Sequence, residues 1–214
     1  MGIPADRLRA SIEALAAIEP GFAAGLARFG HPEPRISERG YESLLRTMVG
    51  QQVSVAAARS IWAKLDAAVG GAGNPDNLLA ASDETLRGAG LSRQKIGYAR
   101  SFAEEVATGR LPLDNLPEDD EEAIAAMTRV KGIGRWSAEI YLLFAEGRAD
   151  VWPAGDLAVQ VEIGHLLGYE ARPSEKAIRA LSEPWRPHRG ALAIFAWHHY
   201  GHRRALKGAD AAPL

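Results

Sequence analysis

The chain contains no cysteine. Disulfides, thiol catalysis and zinc or iron–sulfur centres held by cysteine are therefore excluded. The same absence fits a reducing compartment, and the cytoplasm is the expected location. No apolar run approaches the roughly 18 residues that a membrane-spanning helix requires. The stretch Met1–Ala10 lacks the apolar core of a signal peptide and carries Asp6, Arg7 and Arg9. Nor is there an excess of positive charge. The formal net charge is -2, so the bulk composition gives no support to a polyanionic partner, and any such reading rests on local charge. Strand-like alternation of β-branched residues is scarce, and no repeat or low-complexity stretch appears.

What remains is rich in Ala, Leu, Glu and Arg, the vocabulary of helices. Hydrophobic residues make up 47% of 214 positions, enough for a sizeable core in one domain or two small lobes. The periodicity predicts helices near 5–18, 41–50, 54–69, 82–88, 92–109, 119–128, 135–146, 156–167, 174–183 and 187–206. Gly/Pro clusters at Gly70–Pro75, Leu111–Pro117 and Trp152–Gly155 read as breaks. The expected fold is all-α, with two helical lobes flanking a cleft. Residues 1–35 form an N-terminal helical segment packed on the second lobe, 36–205 form the core, and 206–214 are a tail.

Local features carry the chemistry. Ser92 reads as an N-cap, and the five acids of Glu118–Glu122 sit where they complement a helix dipole as a solvated cap. Helical spacing puts Trp136, Ile140, Leu143 and Phe144 on one face, and Leu44, Leu45, Met48 and Val49 on another, both read as core stripes.

The segment Val130-Lys131-Gly132-Ile133-Gly134 links two predicted helices. It reads equally as an ordinary glycine-capped connection or as a turn whose backbone approaches a phosphate, with Lys131 and Arg135 adding charge and Ile133 plugging into the core. Asp156 opens the next helix, 22 residues after Gly134. By itself it is an N-cap; held near a bound phosphate backbone, it is a carboxylate able to face a sugar. Trp136 and Trp197 each read as core residues, or together as a slot for an extruded base. Pro184–Lys207 contains Arg186, Arg189, Arg203, Arg204 and Lys207 and no acid. That pattern fits either a polyanion contact or a solvated basic face. His198 and His202 have metal-like spacing but no evident third ligand.

Taken together these residues resemble the helix–hairpin–helix DNA glycosylase superfamily, and within it the alkylated-base branch, DNA-3-methyladenine glycosylase II. Three stretches carry the resemblance: Leu44–Ser54; Val130–Glu139 continuing to Asp150–Leu157; and Trp185–Arg189 with Trp197 downstream. The resemblance implies that Asp156 is the catalytic carboxylate. It implies a base pocket of Trp136, Trp197, Ile140 and Gln51. Gln52 becomes the wedge that fills the gap left by a flipped base. The hairpin Lys131, Gly132, Ile133, Gly134, Arg135 and Ser137 would grip the DNA backbone, and the carbonyls of Thr128, Val130 and Gly132 would hold a Na+ or K+ ion.

The sequence departs from the pattern at two positions: a bulkier apolar wedge is common where Gln52 stands, and Ile140 occupies a position that can be aromatic. Some members carry an additional N-terminal domain, and this chain matches the shorter form. Members that nick the strand use a lysine in the hairpin helix; the matching residue here is Trp136. The implied activity is therefore monofunctional excision of alkylated purines from double-stranded DNA by a monomer, with no cofactor in the chemistry. Two alternatives stand beside it: a glycosylase for deaminated or oxidised bases, and a non-catalytic DNA-binding module.

Overall fold

A computed structural model of the chain describes residues 2–206. Among them the chain divides into two compact units. One is Glu38–Tyr141; the other is assembled from the stretch up to Ser37 and the stretch from Leu142 onward. Positions 207–214 of the expected tail lie outside the described residues. All regular structure among those described is helical, and no helix is long and apolar enough to cross a membrane.

The Glu38–Tyr141 unit holds α3 (Tyr41–Gly50), α4 (Val55–Val69), α5 (Pro75–Ala80), α6 (Asp83–Gly88), α7 (Arg93–Ala107), α8 (Asp120–Thr128) and α9 (Arg135–Tyr141). Short polar residues start them. Ser54, Asn74, Ser82, Ser92 and Asp119 each accept a backbone N–H of the first turn through a side-chain oxygen, satisfying donors the helix itself leaves open. Gly70 closes α4 in the left-handed conformation. Leu44, Leu45, Leu65, Leu78, Phe102 and Met127 are buried at its centre, with Tyr41 stacked on Phe102.

The other unit holds α1 (Ala5–Ile18), α2 (Pro20–Phe29), a π turn (Leu142–Glu146), α10 (Leu157–Leu166), α11 (Glu175–Leu181) and α12 (Arg189–Leu206). The helices α1, α2 and α10 all pack against α12. Close approach is enforced by glycine: a Cβ on Gly25 would lie 2.7 Å from Leu166, and one on Gly190 would lie 2.6 Å from the Ala149 carbonyl.

Three expectations need correction. The helices α2 and α5 fall outside the predicted spans. Each begins at a proline, which breaks a helix interior but suits its first turn, where no N–H is needed. The predicted helix 135–146 is two pieces, α9 and the π turn, and the division between units falls at their junction. The core stripe on that segment is Ala138, Tyr141, Leu142 and Leu143. Trp136 instead is 40% exposed; it stands in the first turn of α9, beside the hairpin.

Candidate active site

Asp156 ends a loop that is itself buried, with Val151, Trp152 and Ala154 in the core. Gln160 clamps this loop by donating its amide to the Ala154 carbonyl at 2.7 Å. The Asp156 side chain caps α10: Oδ1 accepts the Val159 N–H at 3.0 Å. The same oxygen accepts the Trp197 indole N–H at 3.0 Å. Only 7% of the residue is exposed. The cap is part of how the carboxylate is held.

Trp197 reaches Asp156 because α10 and α12 are locked in register. Six residues along α10, the buried Glu162 meets His199 Nδ1 and accepts from Arg203 at 2.8 Å. Burial on its own raises the Glu162 pKa, but the hydrogen bonds from His199 and Arg203, with the charge of Arg203, outweigh it and leave the carboxyl below its ordinary range. An ion group this deep holds its position because moving any member strands the others without partners.

Trp197 is 4% exposed. Its ring packs on Phe144 at 5.6 Å and lies under the Arg35 guanidinium at 5.8 Å. Its edge is directed at Asp156, and its faces are occupied by the protein, unlike a wall left open for a base. Trp136 is the exposed indole, and Ile140, one turn on, is half-buried. Both belong to the Glu38–Tyr141 unit, whereas Asp156 and Trp197 belong to the other.

In the hairpin, Ile133 is buried as the sequence predicts. Gly132 has φ +93°, and a Cβ there would sit 2.5 Å from the Tyr98 ring, so both backbone and packing require glycine. Among the described residues nothing demands glycine at 134: an added Cβ would meet no atom within 4 Å. Ser137 is buried and lies 3.4 Å from the Gln51 amide. Lys131 is exposed. Arg135 is engaged by Glu121 at 2.9 Å and by the buried Glu139 at 2.9 Å. Hydrogen bonding to Glu121 leads the effects that raise its pKa.

A model of the HhH-GPD superfamily, base excision DNA repair proteins, matches residues 45–187. The chain belongs to the HhH-GPD superfamily. A relative is DNA-3-methyladenine glycosylase 1 of Schizosaccharomyces pombe, 32% identical over 73% of this chain and 71% of that protein. The structure of a 3-methyladenine DNA glycosylase of the same yeast in complex with abasic DNA superposes with a TM-score of 0.73 at 28% identity, covering 87% of this chain and 94% of that one. A DNA-3-methyladenine glycosidase of Bacillus halodurans gives a TM-score of 0.72 at 32% identity, covering 80% of each chain.

Within this HhH-GPD chain, the basic C-terminal stretch is not the free cationic face that its composition offers. Arg186 and Arg189 pair with Asp150 at 2.7 and 2.8 Å. Arg186 also pairs with Glu183, and Arg203 is bound to Glu162. Lys207 lies outside the described residues. His198 and His202 form an aromatic cluster: their rings are 4.4 Å apart, His202 stacks on Phe29, and His198 Nε2 meets the Phe29 carbonyl at 3.0 Å. Burial, its leading influence, lowers the His198 pKa. Of the acidic run, Asp119 caps α8 and Glu121 binds Arg135. Sequence reasoning missed two residues that hold segments distant in the chain. One is Glu162, whose partners are 37 and 41 positions away. The other is Lys95, whose ammonium reaches the end of α3.

Proposed function

We propose that this chain is a monofunctional DNA glycosylase that extrudes alkylated purines of the 3-methyladenine and 7-methylguanine type from duplex DNA and hydrolyses the N-glycosidic bond, acting as a monomer in the cytoplasm. The observation that carries the reading is the buried, doubly hydrogen-bonded Asp156 carboxylate in a chain of the base excision repair family whose relatives are named for 3-methyladenine.

The chemistry follows from the substrate. A purine alkylated at N3 or N7 is cationic, so it leaves without being protonated by a general acid. The site must supply negative charge as the sugar takes on oxocarbenium character, and a positioned water. Asp156 has the charge, and its anchored Oδ1 fixes the direction in which the carboxylate faces. A carboxylate already oriented by Val159 and Trp197 needs little reorganisation during the reaction. The exposed face of Trp136, with Ile140 and Gln51, is assigned to the base; cation–π attraction there is worth on the order of 0.5–2 kcal/mol. Trp197 is assigned to carrying Asp156. Gln52 is assigned to filling the gap in the duplex.

The hairpin Lys131–Arg135, with Ser137, is assigned to a DNA phosphate. The open space beside Gly134 supports a close backbone approach, and Lys131 supplies the charge that Arg135, already offset by two carboxylates, supplies less of. Thr128 ends α8, so its carbonyl, with those of Val130 and Gly132, offers neutral oxygen donors at the negative end of a helix. That donor set fits Na+ or K+, which when bound would join the phosphate to the hairpin. Trp136 has no amine to form a Schiff base, so strand nicking is not expected.

The test is excision from oligonucleotides carrying 3-methyladenine, 7-methylguanine, hypoxanthine or 8-oxoguanine, followed by hot alkali to cut abasic sites. Alkylated substrates are expected to be cut only after alkali and not to be trapped by borohydride. Asp156→Asn is expected to lose excision by at least about a hundredfold, the scale for removing a key electrostatic group, with DNA affinity retained. Near-full rate in that variant would refute the mechanism.

A further inference from the structure

The loop between α3 and α4 is short and exposed, yet its backbone is held in an unusual shape. Gln52 has φ +59°, the one non-glycine residue among those described with a positive φ. Side chains with a Cβ rarely adopt that conformation unless the surroundings impose it. Gln52 itself is exposed, so its own side chain does not supply the constraint. Gln51 does, being held from two sides: its amide lies 3.4 Å from Ser137 Oγ, and its carbonyl accepts from Lys95 Nζ at 2.7 Å. Ser54 then caps α4 through the Ala57 N–H at 3.2 Å.

Lys95 is an unexpected residue where it stands. Ser92 caps α7, and the Ser92 hydroxyl accepts the Lys95 N–H, so the lysine lies in the first turn, where the helix dipole disfavours a cation. Its ammonium does not stay there. It crosses to the C-terminal end of α3 and donates to the Val49 carbonyl at 2.7 Å as well as to Gln51. That end carries the negative pole of a second helix, and the last carbonyls of a helix lack partners within it. The residue is half-buried, and burial lowers its pKa.

We infer that Lys95 is a positioning residue for strand separation: by binding the Val49 and Gln51 carbonyls, it fixes the backbone that presents Gln52 to the vacated place in the duplex. The inference rests on the wedge assignment made above and adds the group that makes the wedge stiff. A loop fixed in advance need not be ordered on the DNA, so the cost of ordering it does not fall on the flipping step.

A double-mutant cycle on duplex DNA with one alkylated purine tests it, using single-turnover excision and the fluorescence of 2-aminopurine placed beside the lesion. Lys95→Met and Gln52→Ala are each expected to slow excision about tenfold and to reduce the flipping signal by a similar factor. Alanine is chosen at 52 because it keeps the backbone demand and removes only the wedge. The double variant is expected to be no slower than the slower single one, since both act through one element. Losses that multiply to about a hundredfold overturn the inference, as does a native rate in either single variant. A merely structural Lys95 would lower the thermal midpoint and leave the flipping signal of the folded fraction intact, which also overturns it. Should Lys95→Met not fold, Lys95→Gln, whose shorter, neutral amide loses the charge and the reach to both carbonyls, carries the same cycle. If the native protein yields no abasic sites at all, the glycosylase reading has failed, and this inference falls with it.

Discussion

Asp156 and Gln52 lie in different units and are supported in opposite ways. The carboxylate is buried, accepts a helix N–H and an indole N–H on one oxygen, and stands on a helix whose register is fixed by a buried ion group. The glutamine is exposed, and only its backbone is constrained. In the same unit Trp136 is 40% exposed, and a Cβ on Gly134 would meet nothing within 4 Å. Under the proposed function the difference follows the work each part does. Chemistry needs a charge fixed to a fraction of an ångström, which packing and second-layer hydrogen bonds provide. Contact with a DNA backbone needs accessible N–H groups and side chains that meet a surface arriving from outside.

The largest effect expected is at the buried ion group. Glu162→Ala leaves the buried His199 and the half-buried Arg203 without their carboxylate, at a cost of about 3–5 kcal/mol, read from urea unfolding. The Glu162 carboxyl is held below its ordinary pKa of 4.5, so its contribution is present above that value and is lost as pH falls through the lowered one. The gap in stability between native protein and Glu162→Gln should therefore shrink in acid. A gap that widens on acidification would break the assignment of that cluster.

Next come the two hairpin glycines, which the structure separates. Gly132→Ala meets Tyr98 and a left-handed backbone, and is expected to destabilise by about 1–3 kcal/mol. Gly134→Ala has no clash and is expected to change stability by less than about 0.5 kcal/mol while weakening DNA binding in a gel-shift titration. Equal DNA affinity in Gly134→Ala would remove the phosphate from the proposed hairpin.

Trp197→Phe keeps an aromatic ring and deletes the donor to Asp156. It is expected to slow excision about tenfold, or roughly 1.4 kcal/mol, with substrate affinity nearly unchanged. A loss in affinity with an unchanged rate would return Trp197 to the base pocket. The smallest effect concerns Gln52→Gly: relief of the left-handed conformation should stabilise the fold by up to about 1 kcal/mol while excision slows. A variant slower but less stable would show that the loop is not strained.

Much of this was legible in the sequence. The helical class, the caps at Ser92 and Asp156, and the buried Ile133 follow from local rules that fold and sequence share. The residues quoted for the family resemblance fall within or close to the matched span 45–187. What was not legible depends on partners far apart in the chain. Periodicity puts Trp136 on a stripe but does not say what covers it. A run of arginines counts as charge until Asp150, Glu183 and Glu162 are found beside them. Lys95 left one faint sign, a cation in the first turn of a helix, whose explanation lies 44 and 46 positions earlier. The helices α2 and α5 were hidden because proline marks both the interruption and the opening of a helix.

The unit that holds Asp156 draws its helices from stretches before and after Glu38–Tyr141, which is inserted between them. During synthesis, the ribosome therefore releases every residue of the inserted unit before α12 exists. The indole that steadies the carboxylate comes at position 197, after the whole of the inserted unit. A product truncated before α12 would carry the hairpin and the wedge loop, yet leave Asp156 without its tether. The tether of Asp156 is in this sense made only after the whole inserted unit has been synthesised.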